Sequence, residues 1–248
     1  MAEWITGRNP VFEVIRAGRR RLNRLQFLEG AEMKGRLLEI LKLCREAGIE
    51  VEPVSRRRLD QISLNHQGVA LSAETYPYST MTEILDGLAE QARAGIVLLL
   101  DEVQDPQNLG TLLRTAEAVG VRGVFMPSHR AASVTPSVVQ ASAGATEYLS
   151  IGQANLVDVI GRLKQEDYWV IGLENSPDAS PPDSLRLDGR IALIVGSESQ
   201  GMRRLVRDSC DWIMRLPIQG EIGSLNAAVA GSIALFLAWT AQRRADFS

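Results

Sequence analysis

The chain has 248 residues, 45% of them hydrophobic and 23% charged, with a formal net charge of −3 and two cysteines. This is enough for one large domain or two modest ones with a real core, and it excludes a disulfide scaffold and a protein that holds nucleic acid by bulk positive charge. No stretch reaches the roughly 18 to 20 uninterrupted apolar residues of a membrane span and MAEWITGRNP lacks a signal-peptide pattern, so no membrane partner is expected and the expected compartment is the cytoplasm.

In chain order, Asn9-Pro10 reads as a cap and first-turn proline that open a helix through VFEVIRAG, closed by Gly18. RLQFLEG reads as a strand, and MKGRLLEILKLCREAG as an amphipathic helix with Leu37, Leu38, Leu41 and Cys44 inward. IEVEPVS is a second strand, RRRLDQIS a short helix and GVALSAE a third strand. Residues 1–75 thus form a small alternating α/β domain. This third of the chain carries 13 Lys+Arg against 10 Asp+Glu, whereas the remainder carries 14 against 20. Arg19-Arg20-Arg21 and Arg56-Arg57-Arg58 offer either phosphate contacts or a solvated face. His66, beside Gly68, suits a structural role in its loop better than a ligand contact.

Thr75–Thr80 breaks the periodicity, so residues 76–94 are expected to be a linker and the lead-in helix MTEILDGLAEQARA. A larger domain is expected over 95–248. GIVLLLDEV is an apolar strand, DPQNLGTLLRTAEAVG a polar turn and helix ending at Gly120, and VRGVFMP the next strand: a βαβ unit. The turn has neither the glycine fingerprint of a dinucleotide fold nor a phosphate loop. Asn108 stands at the helix start, and Arg114 interrupts the apolar face of Leu112, Leu113, Ala116 and Val119. The residues alone allow a cap and a surface arginine, or a partly buried guanidinium paired with Glu198 or a phosphate.

TPSVVQASAGA then reads as a small-residue helix, TEYLSI as a strand, NLVDVIGRLKQEDY as a helix and WVIGLEN as a strand. RIALIVGSESQGM is a continuous β-branched run, suited to a strand covered on both faces, that ends in a glycine-bracketed acidic turn. Gly196 is expected to let backbone approach a ligand and Gly201 to take positive φ at the following helix. Glu198 either meets a ligand at the strand's carboxyl end or stabilises a helix entry. SLNAAVAGSIALFLAWTAQRR is apolar on nearly every face, which fits burial in the core or, preferentially, against a second copy of the chain. Cys44 and Cys210 read as packing residues. With two distant histidines, His66 and His129, a histidine metal site or a Ser-His-Asp triad has little support.

Three motifs now stand in order: N-L-G-x-x-x-R in DPQNLGTLLR, I-V-G-x-E-x-x-G in IVGSESQG, and L-P-(x)n-S-L-N in LPIQGEIGSLN. Together, over roughly residues 95–245, they resemble the SpoU/TrmH group of SPOUT RNA ribose 2′-O-methyltransferases. GRNPVFEVIRAG and HQGVAL resemble the substrate-binding domain of the RlmB-type group, which acts on a guanosine of large-subunit (23S) ribosomal RNA. The resemblance implies an α/β fold whose C-terminal domain, with a mostly parallel sheet, carries a deep trefoil knot behind a small ribosomal-protein-like RNA-binding domain. It implies S-adenosylmethionine among the knot loops at Gly196, Leu216 and Leu225, and a catalytic group of Asn108, Arg114, Glu198, Ser224 and Asn226. It implies as partners 23S ribosomal RNA or a ribosome precursor, and a homodimer through knot-domain helices that include the C-terminal one. Ser197, Ser199 and Ser128 depart from common family residues. A transfer-RNA methyltransferase and a non-catalytic RNA-binding assembly factor are the alternatives, while a nicotinamide-dependent oxidoreductase lacks its glycine fingerprint.

Overall fold

The computed structural model describes residues 2–89, 95–198, 200–221 and 223–245. Ser199 and the end of the helix expected through Ala94 lie outside the described residues. The chain divides into two compact units, Met1–Pro77 with Ser133–Tyr148, and Tyr78–Ala132 with Leu149–Ser248.

The first unit runs β1 (Ala2–Thr6), α1 (Arg8–Ala17), β2 (Leu22–Leu28), α2 (Gly35–Glu46), β3 (Glu50–Val54), α3 (Arg56–Asp60) and β4 (Val69–Glu74). Its sheet is ordered β1-β4-β2-β3, with β2 and β3 parallel and the other pairings antiparallel. The edge strand β1 escaped the sequence patterns because five residues with a mixed burial pattern show no clear alternation. Helix α1 opens one residue before the expected cap. Gly7 is its N-cap at φ 92, where only glycine is unstrained, and the Arg8 N–H donates to Gln67 Oε1 at 2.9 Å. A distant side chain thus replaces the local cap, while Gly18, at φ 60, closes the helix as expected. In α2 the buried stripe is Leu37, Ile40 and Cys44, and Leu38 is exposed. His66 has the structural role: its Nδ1 accepts from Gly68 N–H at 2.8 Å and its Nε2 pairs with Asp60 Oδ1 at 3.1 Å.

The segment Ser133–Tyr148 completes this unit with a helix, α6 in chain order (Pro136–Ala141), and a 3-10 turn at Ala145–Tyr148. The strand expected at TEYLSI therefore starts only at Ile151. The reason is an ion pair that no local pattern encodes. Glu147, 4% exposed, receives Arg20 Nε at 3.0 Å and Nη2 at 2.6 Å, Arg20 Nη1 donates to Glu74 O at 3.2 Å, and the guanidinium lies 5.2 Å from the Tyr76 ring centre. Arg20 is thus withdrawn from the expected phosphate-contact cluster. Arg56, Arg57 and Arg58 remain exposed on α3, which Ser55 caps by accepting from Arg58 N–H.

The second unit carries α4 (Met81–Ala89), β5 (Ile96–Asp101), α5 (Pro106–Ala118), β6 (Gly123–Met126), β7 (Ile151–Gln153), α7 (Leu156–Gln165), β8 (Trp169–Leu173), β9 (Ile191–Gly196), α8 (Arg204–Asp208), β10 (Trp212–Met214) and α9 (Ala227–Ala245). Its six strands are all parallel, in the order β10-β8-β9-β5-β6-β7. Strands β5 and β9 are buried at every residue, as their continuous apolar runs require. Val97, Leu99, Phe125, Val170 and Ile194 meet α4, α7 and α8 on one face. Helices α5 and α9 pack together on the other, where a Cβ on Gly231 would come within 2.5 Å of Leu112 Cδ2 and 2.9 Å of Val195 Cγ2. Thr115 and Ser232 hydroxyls bond across that contact at 2.9 Å. The short α8 and β10 carry too few residues for a readable period. Among the described residues no helix is long and apolar enough to cross a membrane.

Removing Arg20 strands the buried Glu147 carboxylate, which costs about 3–5 kcal/mol, whereas removing Glu147 leaves Arg20 with Glu3 Oε2 at 3.7 Å. Urea denaturation should show a loss of this order for Arg20→Met and a smaller one for Glu147→Gln, with the double variant recovering part of the sum. Additive losses would mean that the two groups do not depend on each other.

Candidate active site

The site forms where β9 ends beside β5. Ser197 and Gly201 exchange backbone hydrogen bonds at 3.0 Å in both directions, folding the chain back on itself, and Gly201 takes φ 68. Gly196 is needed for this turn. A Cβ there would lie 2.6 Å from both Gly201 O and Met202 N, so the return of the chain on itself already requires glycine. Asp101, the last residue of β5, stands opposite Gly196 and is fully buried. It accepts from Arg203 N–H and Arg203 Nε, each at 2.7 Å, and so clamps the end of the turn. The sequence reading missed this pair. The signal was a carboxylate closing an otherwise apolar run, since a buried charge needs a partner.

Asn226 joins three elements. Its Oδ1 accepts from Ala228 N–H at 2.9 Å and Val229 N–H at 3.1 Å, capping α9. Its Nδ2 donates to Asn108 Oδ1 at 3.0 Å and, by a short bond, to Glu198 Oε1. An amide has two donors and two lone pairs, and all four are engaged, so its orientation is determined. Asn108 is not the helix cap: Asp105 is, accepting from Asn108 N–H at 2.9 Å, which leaves the Asn108 side chain turned to Asn226. Glu198 is exposed and faces this amide, so it is not the partner of Arg114. Arg114 is exposed, which selects the surface arginine of the two readings the sequence allowed, and it forms no hydrogen bond or ion pair with a described residue.

Beside this cluster lies a cavity with roughly 720 Å³ of space between atoms, its open mouth included, within the range of small-molecule sites. Its wall includes Leu173, Gly196, Leu216, Ile218, Ser224 and Leu225. The expected cofactor residues and Ser224 therefore share one cavity, whereas Arg114 does not line it. Asn175 holds the cavity's loop by donating to Gly223 O at 2.7 Å. Glu174, also on the wall, accepts from Arg207 Nε at 3.0 Å, and Arg207 Nη2 bonds both Asp178 oxygens at 2.9 and 2.8 Å. The Arg207 hydrogen bonds hold Asp178 below the usual carboxylate range. Burial pushes the thiols of Cys44 and Cys210 up to about 11 and 12, in keeping with packing roles.

Two variants test this geometry. Gly196→Ala overpacks the turn and should lower unfolding free energy by about 1–3 kcal/mol. Asn226→Asp keeps the α9 cap but sets a carboxylate against Glu198. Like charges raise the folded-state pKa of such a pair, so the deficit should be largest near neutral pH and shrink as pH falls toward the carboxylate range, readable by thermal unfolding across pH. A deficit independent of pH would sink the assigned Asn226–Glu198 contact.

Residues 95–236 match the SpoU rRNA Methylase family and residues 4–79 the family described as RNA 2′-O ribose methyltransferase substrate binding. A TrmH family tRNA/rRNA methyltransferase of Bacillus subtilis is 35% identical over 239 residues, covering 94% of each chain. One of Staphylococcus aureus is 38% identical over 234 residues, covering 94% of this chain and 93% of that one. Among solved structures, the SpoU methyltransferase AviRb from Streptomyces viridochromogenes, in complex with AdoMet, matches with a TM-score of 0.80 at 21% identity, over 97% of this chain and 90% of that one. The AdoMet-bound rRNA methyltransferase from Sinorhizobium meliloti matches with 0.78 at 23% identity, over 96% and 86%. These share the expected fold class, a SPOUT domain behind a small substrate-binding domain, and the chain belongs to the SpoU/TrmH family of RNA methyltransferases.

Proposed function

We propose that this protein transfers methyl from S-adenosylmethionine to a ribose 2′-oxygen of RNA, specifically that of a guanosine of 23S ribosomal RNA. The observation that carries the reading is the convergence of Asn108, Glu198 and Asn226 beside the cavity of Gly196, Leu216 and Leu225. The cavity fits the cofactor: apolar side chains suit the adenine, and Glu198, paired with an amide and not a cation, suits a positive centre. The cofactor supplies an electrophilic methyl group that needs in-line alignment with the attacking oxygen. Asn226 positions Asn108 and Glu198, because its own orientation is fixed from four sides. Ser224 and Asn108 flank the position of the target ribose. Arg114, exposed and unpaired among the described residues, is available to hold an RNA phosphate and stabilise the developing alkoxide. A guanidinium stays protonated, so the proton leaves to water. Arg56, Arg57 and Arg58 supply further phosphate contacts.

The reading extends to a domain assignment, with residues 1–75 binding substrate RNA, 76–94 joining the domains and 95–248 transferring methyl. It also extends to a homodimer. Val229, Ile233, Phe236 and Leu237 are 36 to 49% exposed on α9, at spacings that place them on one side of the helix. Light scattering should give twice the 27.2 kDa chain mass, and Ile233→Glu with Phe236→Asp should give the single-chain mass.

Labelled S-adenosylmethionine, unmodified 23S ribosomal RNA and transfer RNA provide the main test. Label is expected on a ribosomal guanosine 2′-oxygen and absent with Asn226→Ala. Label on transfer RNA alone would move the substrate, and label on neither, with cofactor bound, would favour an assembly factor. In single turnover Arg114→Lys, which keeps charge but not the planar fork, should be about 10- to 100-fold slower, consistent with loss of one charge-assisted hydrogen bond or two. A wild-type rate would remove Arg114 from the reaction.

A further inference from the structure

Glu174 is not part of the Asn108–Glu198–Asn226 cluster, yet it stands on the wall of the same cavity, just past the end of β8. Among the described lining residues, Glu174 and Glu198 are the only charged ones. Their environments differ. Glu198 is held by a neutral amide, so its negative charge remains available to a cation. Glu174 Oε1 is paired with Arg207 Nε at 3.0 Å, a guanidinium it shares with Asp178. Its Oε2 accepts no hydrogen bond from a described residue and stands over the turn, 3.5 Å from where a Cβ on Gly201 would lie. Gly201 is itself on the cavity wall. A carboxylate held in place through one oxygen, with the lone pairs of the other open, is a ready acceptor for hydroxyl donors.

We propose that Glu174 is a specificity residue that accepts hydrogen bonds through Oε2 from the ribose hydroxyls of the cofactor, with Arg207 as its positioning residue. This rests on the reading that the cavity holds S-adenosylmethionine. The vicinal diol is the cofactor's pair of adjacent neutral donors, and a single carboxylate oxygen with two lone pairs can accept from one hydroxyl or both. The support is built to hold one rotamer. Arg207 spans Glu174 on one side and both oxygens of Asp178 on the other, with Ser176 Oγ at 3.4 Å from Nη2. The backbone of Glu174 is fixed as well, its N–H donating to Met214 O at 3.0 Å. Asn175, the neighbouring polar side chain, has its Nδ2 donor engaged with Gly223 O. That leaves Glu174 Oε2 as the open carboxylate oxygen on this side of the wall, among the described residues.

The test is calorimetric titration of the full-length protein with S-adenosylhomocysteine and with its 2′-deoxy and 3′-deoxy forms. In the wild type at least one deoxy form should bind about 10- to 100-fold more weakly, the worth of a hydrogen bond to a charged acceptor. In Glu174→Met, checked for native circular dichroism, the ratio between parent and deoxy ligands should fall toward one, and in Arg207→Lys it should shrink while the parent ligand still binds. A general structural defect would weaken all three ligands alike and leave the ratio unchanged. Equal binding of the three ligands by the wild type, which needs no variant to fold, overturns the inference, as does an undiminished ratio in Glu174→Met. Failure of the wild type to bind S-adenosylhomocysteine at all would instead overturn the cofactor reading on which the inference rests.

Discussion

The four-fold engagement of the Asn226 amide is the constraint on which the site depends. Two backbone N–H groups of α9 fix its oxygen, and Asn108 and Glu198 receive its two protons. One side chain therefore couples the start of the last helix, the first turn of α5 and the turn after β9. Each of these elements also has its own restraint: Asp105 caps α5, and Asp101 holds Arg203 just beyond the β9 turn. Asn226 and Glu198 are exposed, so the effect of these bonds is to fix geometry and not to rescue buried groups. Each bond is modest in net energy, but together they set the mutual positions of the three side chains before any ligand enters.

Close packing supplies the second condition. Gly196 admits the returning backbone of Gly201 and Met202, and Gly231 admits Leu112 and Val195 between α9 and its neighbours. Neither position has room for a Cβ. The parallel sheet contributes by ending β5, β8 and β9 side by side, so that Asp101, Glu174 and the Gly196 turn emerge at the same carboxyl edge, where open α/β sheets bind ligands. The cavity wall is then divided by chemistry. Leu173, Leu216, Ile218 and Leu225 are apolar, while one carboxylate is held by Arg207 and another by the Asn226 amide.

The first unit uses charge differently. Arg20 and Glu147 are removed from water almost completely and answer each other with two hydrogen bonds. Replacement of such a pair by apolar groups can be neutral in stability, whereas loss of one partner is not. Its effect is to fix which segment packs here: Ser133–Tyr148, far along the chain, is held to the strands and helices of the N-terminal third. Three adjacent arginines in sequence thus have unlike environments, with Arg20 buried and Arg21 exposed.

The sequence by itself determined the fold class, the parallel strands with long apolar runs, the helix closed by Gly18 and the positive φ at Gly201, because continuous burial and glycine geometry leave local traces. Its three motifs also carried the family, since Asn108, Glu198 and Asn226 occur at element ends where residue type and spacing can be read directly. Only the tertiary structure decided what those residues touch. It turned Arg114 outward, gave Glu198 to Asn226, explained Gly196 by the chain's own return and revealed the Asp101–Arg203 and Arg20–Glu147 pairs. These partners lie about a hundred residues apart or more in several cases, and no local period or propensity encodes a contact that exists only when distant elements meet. The short strands β1 and β10 were hidden for the same reason, their state being set by the neighbouring strand that supplies their hydrogen bonds.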